Sequence, residues 1–144
     1  MDPVSLCASA TTLIAICVQA VDTLTHTIET LRKAKTFLLR LLSQTERVRI
    51  FLEQLRSLTA QLGPKAGILL AFNDSGPRET INELHAFVKD MAQKDTWIRV
   101  KVLLNQKAAD RLVLRLHRHE EEIMQVLLSI VTFVPTSRAG VFHT

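Results

Sequence analysis

A chain of 144 residues is long enough for one domain with a sizeable hydrophobic core. Hydrophobic residues make up 47% of it and charged residues 22%, which excludes intrinsic disorder. Glycine and proline disfavour helices, and their small number, four of each, favours an all-helical fold. The net charge of +4 suits an anionic membrane surface or an acidic partner. With no tyrosine and one tryptophan, the chain offers few platforms on which single-stranded nucleic acid could stack.

The first predicted helix begins with an uncharged run, Pro3 to Val21, and ends at about Arg32 or Lys33. As a helix, the run would be about 28 Å long, near the thickness of a bilayer's hydrocarbon core. Its apolar residues recur every three or four positions and predict one buried stripe. The stripe consists of Leu6, Ala10, Leu13, Ile14, Cys17, Val21, Leu24, Ile28 and Leu31, with Ser5, Ser9, Thr12 and Thr23 predicted to lie away from it.

Three interpretations of this run compete. A signal peptide needs a positively charged start, but Asp2 is the only charged side chain before Asp22. A permanent transmembrane helix needs a denser set of large apolar side chains than a run that contains serines, threonines and Gln19. A core helix of a soluble bundle is the interpretation we adopt for the resting state, and it leaves open insertion into a membrane after a rearrangement.

The second helix is predicted from about Lys35 to Leu62, where Gly63-Pro64 ends it. Leucine or valine recurs there every seven residues, the spacing of helical bundles. The apolar stretch 66–72 is interpreted as a buried connector or short helix. The turn 73–77 precedes a third helix over about Arg78–Gln93, and Trp97 lies in a basic connector.

The fourth helix is predicted from about Gln106 to Phe133, with Asn105 as its N-cap and Pro135 as its end. The expected fold is therefore all-α, a bundle of four main helices with a hydrophobic N-terminal helix, packed roughly antiparallel. The bundle is expected to comprise residues 1–134, and residues 135–144 a loose tail. One core is predicted for Leu41, Val48, Leu55, Ile81, Leu84, Leu112, Leu116 and Ile123.

Side chains typical of catalytic chemistry do not form a recognisable set. No phosphate-binding loop or nucleophile motif occurs, so we expect no enzyme activity, catalytic residue, cofactor or metal. His117 and His119 are two residues apart on a helix and are predicted to be solvated, beside an exposed acidic face at 120–122. Cys7 and Cys17 are about 15 Å apart along one helix, too far for a disulfide, which predicts free thiols and a cytosolic protein.

A basic stretch follows the uncharged run. Seven cationic residues lie between Arg32 and Arg56, opposed by Glu46 and Glu53. The alternatives are a solvated helix face, contact with anionic lipid headgroups, and binding of nucleic acid, for which no groove-reading module is recognisable. If lipid is the partner, the residues nearest the uncharged helix would contact the headgroups, namely Arg32, Lys33, Lys35 and Arg40.

Several segments resemble fungal HeLo-like domains, the N-terminal domains of fungal STAND receptors. They are the opening Met1–Leu6, the turn Phe72–Pro77 before an amphipathic helix, and Trp97 followed by a basic helix that contains Arg115 and Arg118. The resemblance covers most of the chain and lies in the order and spacing of these segments. The end of the last helix, Ser129–Val134, departs from the family's pattern, which leaves the C-terminal boundary of the domain open.

The resemblance implies a bundle that executes cell death in fungal innate immunity or heterokaryon incompatibility. In such domains the N-terminal helix is thought to leave the bundle after homo-oligomerisation and to disrupt the plasma membrane, so the protein would be cytoplasmic at rest. Larger relatives carry a NOD-like receptor module or an amyloid motif. Neither is recognisable in this sequence. The chain is therefore expected to be an isolated domain or a stand-alone relative, with such a module or motif as a further partner.

Two functions remain open. In the first, a membrane-disrupting domain, the apolar residues of the first helix would enter lipid, namely Leu6, Leu13, Ile14, Val18 and Val21. In the second, the bundle is an interaction or oligomerisation module of a signalling receptor with no membrane action. Both need the first helix for the core, so the sequence does not separate them.

Overall fold

The computed structural model describes residues 3–30, 36–62, 72–93 and 99–142, with side chains described for 4–29, 36–62, 72–90 and 106–129. Four helices account for all of these residues except 72–74. They are α1 (Pro3–Thr30), α2 (Thr36–Leu62), α3 (Ser75–Gln93) and α4 (Arg99–Phe142). The predicted all-helical bundle with an apolar N-terminal helix is confirmed.

Each helix packs against two neighbours, so the four form a ring in the order α1, α2, α4, α3. Hydrogen bonds from Thr80 to His119 and from Arg115 to Glu83 show that α3 and α4 are antiparallel. α1 and α3 are parallel, because Ser9 meets Asp74 where both helices begin and Thr23 lies near Lys89 further along. The predicted antiparallel packing therefore holds for only some of the neighbouring pairs.

One hydrophobic core fills the centre of the bundle. All eight residues predicted for it are buried, and leucines of α1 join them. Burial of each large side chain stabilises the fold by roughly 1.5–3 kcal/mol. Phe72, just before α3, is also buried against this core.

Three helix boundaries, in α3 and α4, differ clearly from the sequence prediction. α3 begins at Ser75 rather than Arg78, because the Asn73 side-chain oxygen accepts a hydrogen bond from the Ser75 amide 3.0 Å away and starts the helix earlier. α4 begins at Arg99 and continues past Pro135 to Phe142, so the predicted cap at Asn105 and the predicted end at Pro135 were wrong. An interior proline removes one backbone hydrogen bond, at about 3 kcal/mol, which a long helix can tolerate.

Other predictions lie outside the described residues. These include Leu31 of the stripe, all of the predicted connector 66–72 except Phe72, and Trp97. The division into a bundle at 1–134 and a loose tail stays a prediction. Cys7 and Cys17 are both free thiols, as predicted, and Cys17 is buried.

Candidate functional site

The inner face of α1 forms one side of the core. Six residues of the predicted stripe are buried there, and Val21 and Ile28 are half-buried. Ala20 is buried as well. The buried members of the stripe are Leu6, Ala10, Leu13, Ile14, Cys17 and Leu24.

The outer face of α1 is exposed and uncharged over its first four turns. Val4 is 80% exposed and Val18 39%, and the positions between them that face outward are small or polar without charge, namely Ser5, Ala8, Thr11, Thr12 and Ala15. The segment Val4–Glu29 has a mean hydropathy of 1.9 over its most apolar window, of which only 39% is buried. By length and composition it could cross a membrane, a test that core helices and signal sequences also pass.

The threonine hydroxyls of this face are satisfied within the helix. Thr11 donates to the carbonyl of Cys7 at 2.8 Å, and Thr12 to that of Ala8 at 3.1 Å. Thr23 makes the same contact with the carbonyl of Gln19 at 2.9 Å. Hydroxyls bonded to the preceding turn carry no unmet hydrogen bond, so they cost little in an apolar environment.

The residues predicted to contact lipid divide between these two faces. Leu6, Leu13 and Ile14 are buried in the core, Val18 is exposed and Val21 is half-buried. Lipid could reach the buried three only after α1 leaves the bundle.

Of the residues predicted to contact headgroups, the structure places one. Arg40 is exposed near the start of α2, ten residues after the end of α1 in the chain. The other three lie outside the described residues, namely Arg32, Lys33 and Lys35.

A polar contact joins α1 to the start of α3, and we call its members Ser9, Asp74 and Arg78 the clasp. The prediction that Ser9 lies away from the packed face was wrong: its side chain is buried and donates a short hydrogen bond to the Asp74 carboxylate. Arg78 donates to the Ser9 oxygen at 2.9 Å and to the Asp74 carboxylate at 2.8 Å. The three side chains therefore form a closed triangle between two helices.

The sequence at the start of α3 makes the Asp74 carboxylate available for this contact. The Asp74 carbonyl accepts the first helical hydrogen bond, from the Arg78 amide. Pro77 has no N–H, so one donor that an N-terminal side chain would usually cap is missing. Hydrogen bonds from Ser9 and then Arg78 lower the pKa of Asp74. The carboxylate is thus held ionised at neutral pH.

A second polar contact joins α2 and α4 around Glu120. The prediction that Glu120 lies on an exposed acidic face was wrong, because its side chain is only 4% exposed. Gln44 donates to it at 2.7 Å, Arg47 at 2.8 Å, and His117 lies 3.3 Å away. Burial opposes ionisation, but the hydrogen bond from Gln44, the contact with His117 and the charge of Arg47 outweigh it and lower the pKa of Glu120.

A third contact joins α3 and α4 and has the order of a hydroxyl–imidazole–carboxylate triad. Thr80 Oγ1 lies 2.8 Å from His119 Nε2, and His119 Nδ1 lies 3.2 Å from Glu122. The Glu122 carboxylate only accepts, so Nδ1 of His119 is the donor in that contact, while Nε2 shares a hydrogen bond with the Thr80 hydroxyl. Thr80 is fully buried and no substrate can reach its hydroxyl. The contact is structural, and the prediction of a solvated His119 was wrong.

The chain also has a shallow groove between α1 and α3. Ala20 and Val88 form its floor, and Asp22, His85 and Lys89 lie on its rim. Charges of both signs on the rim select no ligand class. Within the described side chains, no group of three metal-binding residues is present.

Sequence reasoning missed Ser9, Glu120 and His119 because each lies on a polar position beside a buried stripe. A signal was present for Ser9, which is four residues from Leu13 and three from Leu6, both in that stripe. Glu120 carried the same signal, because it is four residues from Leu116 and three from Ile123, both buried, whereas Glu121 and Glu122 do not have this spacing. Its partners Gln44 and Arg47, more than seventy residues away, were not predictable from sequence.

These observations define an all-helical bundle whose first helix is held by an apolar face and a polar clasp. No protein-family model, curated protein or solved structure matches the chain.

Proposed function

We propose that the chain is a membrane-disrupting effector domain that acts through α1 after self-association, in cell death of the fungal innate immune or heterokaryon-incompatibility type. The observation that carries the proposal is the outer face of α1, which is exposed and carries no charge from Val4 to Gln19. A helix that serves only as a core element gains solubility from charges on its outer face. The absence of charge there favours a helix that has a second, apolar environment.

The free energy of leaving the bundle sets a condition on this proposal. α1 buries four large apolar side chains, Leu6, Leu13, Ile14 and Leu24, so its release costs roughly 6–12 kcal/mol at 1.5–3 kcal/mol each. Water does not compensate for this loss. The hydrocarbon core of a bilayer compensates for the loss of this burial, because both the inner and the outer face of α1 would be in an apolar environment there.

The order of the charged residues in the sequence supports a role for anionic lipid. The cationic residues Arg32, Lys33, Lys35 and Arg40 follow α1 directly in the chain, so they would remain at the headgroups when α1 enters the hydrocarbon. Each contributes about 1 kcal/mol at an anionic leaflet. The protein would be cytoplasmic at rest and reach the plasma membrane on activation. A NOD-like receptor module or an amyloid-motif protein would be the activating partner.

Release of a trapped dye from lipid vesicles tests the proposal. We expect the purified protein to empty vesicles that contain anionic lipid, and to act more weakly on neutral vesicles or at high salt, because headgroup attraction is screened. Arg40→Gln should weaken release, whereas Arg118→Gln, an exposed arginine of α4, is the matched control. Intact vesicles of every composition, at concentrations where the protein self-associates, would contradict the proposal.

A second candidate is an interaction or oligomerisation module of a signalling receptor with no membrane action. Among the described residues, five of the seven exposed large apolar side chains lie on α2 and α4, which pack together. They are Leu39, Ile50, Leu114, Met124 and Leu128. Exposed apolar groups on neighbouring helices favour a protein partner. Loss of a partner complex on Leu114→Ser, with vesicle release unaffected, would assign that surface to protein contact alone.

A further inference from the structure

We propose that Ser9, Asp74 and Arg78 form an autoinhibitory clasp, a polar contact that sets how readily α1 leaves the bundle. Its regulatory meaning rests on the proposed function, whereas the opening of α1 itself does not. The clasp connects two neighbouring helices that also share the hydrophobic core, to which α1 contributes Leu6 and Leu13.

The hydrogen bonds of the clasp differ from those of the α1 threonines, because they join α1 to another part of the bundle. Thr11, Thr12, Thr23 and Thr27 donate to carbonyls of their own helix, so their hydrogen bonds move with α1 when it leaves. The Ser9 hydroxyl instead donates to α3 and accepts from Arg78 of α3, and both bonds break when the helices separate.

The two charged members of the clasp, Asp74 and Arg78, remain paired with each other when the clasp opens. Arg78 and Asp74 lie one turn apart on the same end of α3, with the Arg78 Nη2 atom 2.8 Å from the carboxylate. When α1 leaves, this ion pair stays together and only the bonds to Ser9 are lost. Separation therefore leaves no unpaired buried charge, which makes the clasp a contact that can open without unfolding α3.

Cys17 provides a direct measure of this opening. It is fully buried, on the same inner face of α1 as Leu13 and Leu24. A thiol reagent reaches it only when α1 separates or the whole chain unfolds. In a Cys7→Ser background, the rate of Cys17 labelling in native buffer reports the opening equilibrium, and its dependence on denaturant shows how much surface the opening exposes.

We expect Ser9→Ala to raise the rate of Cys17 labelling about tenfold, because it removes the hydrogen bonds of Ser9 with two charged groups; a tenfold change corresponds to about 1.4 kcal/mol. Asp74→Asn should act in the same direction. The double variant should exceed the larger single effect by little, because both substitutions remove one contact.

Two variants serve as matched controls. Thr11→Ala removes a hydroxyl from the same helix that bonds only to its own turn, so labelling should stay within about twofold. Arg47→Met weakens the contact between α2 and α4, which persists when α1 alone opens. It should lower global stability without changing Cys17 labelling at low denaturant.

The proposal is overturned if Cys17 becomes reactive only with the free energy and denaturant dependence of global unfolding, or if Ser9→Ala and Arg47→Met accelerate labelling equally. It is also overturned if Ser9→Ala labels at the parent rate. Faster labelling of Ser9→Ala together with intact vesicles would support the clasp and contradict the membrane function, so the two failures are distinguishable.

Discussion

Glu120 is a buried carboxylate held by side chains of two helices. Its carboxylate is buried, yet it is ionised, because Gln44 donates to one oxygen and Arg47 to the other. Arg47 itself is 58% exposed, so solvent screens part of its attraction. The contact joins α2 and α4 through a group that would be costly to leave without its partners.

Arg47→Met should therefore lower the free energy of unfolding by about 1–2 kcal/mol, because it leaves the Glu120 carboxylate with fewer donors. The measurement is a denaturant midpoint compared with the parent. The control is Arg118→Met, at an exposed position of α4 two residues before Glu120. It should change stability by less than about 0.5 kcal/mol. Equal effects of the two substitutions would show that the Arg47 contact does not stabilise the bundle.

Asp74 and Glu120 should together make the fold sensitive to acid. The pKa of Asp74 is lowered from its ordinary value of 3.8 by hydrogen bonds from Ser9 and then Arg78. Burial opposes ionisation of Glu120, but Gln44, His117 and Arg47 lower its pKa from the ordinary value of 4.5. A lowered pKa contributes stability that is complete above the unfolded value and is lost as the pH falls through the folded value. The free energy of unfolding of the parent should therefore decrease as the pH is lowered below about 4.5.

The matched comparison for this pH dependence is the pair Asp74→Asn and Glu120→Gln. Each substitution should reduce the loss of stability as the pH falls below about 4.5, because the removed carboxyl no longer binds a proton on unfolding. Urea denaturation at a series of pH values measures it. An unchanged pH profile in both variants would show that other carboxyl groups cause the acid sensitivity.

At the scale of helices, α3 and α4 approach each other at Gly76. A Cβ atom there would lie 3.1 Å from Cε1 of His119, closer than ordinary contact. His119 has little freedom to move away, since Thr80 and Glu122 hold its two ring nitrogens. The glycine is therefore explained by close packing of two helices.

Gly76→Ala should destabilise the fold by about 1 kcal/mol despite the better helix propensity of alanine, because the added methyl group crowds the imidazole. In a His119→Ala background the same substitution should become neutral or stabilising by up to about 1 kcal/mol. Thermal or urea unfolding of the four variants gives both values. Destabilisation of the same size in the two backgrounds would place the cause in the backbone instead of the imidazole contact.

The helices differ in how far their sequences determine them. The seven-residue spacing of Leu41, Val48 and Leu55 predicted α2 and its buried face, because apolar periodicity follows directly from helix geometry. The ends of α4 were not predictable, since Asn105 and Pro135 are only local biases that a long helix overrides. The clasp was predictable only as a turn, because the meeting of Ser9 with Asp74 depends on how α1 and α3 pack.

At the scale of the whole molecule, α1 is the helix whose two faces have different roles. Its inner face completes the core, and its outer face leaves an uncharged surface in solvent. A charge on the outer face separates the two roles, because the bundle places that face in water and a bilayer places it in hydrocarbon. Thr12 is the suitable position, since it is exposed and lies near the middle of the uncharged run.

Thr12→Glu tests this claim most directly, through dye release from anionic vesicles beside a measurement of thermal stability. We expect stability to stay within about 1 kcal/mol of the parent, as for other surface changes. We expect vesicle release to be abolished, because a charge at the centre of a membrane helix costs about 2.5–3.5 kcal/mol on insertion scales. Two controls should retain release. Thr12→Val changes the same position without adding a charge, and Ser57→Glu adds the same charge at an exposed position of α2. If Thr12→Glu folds and empties vesicles as well as the parent, α1 does not enter lipid.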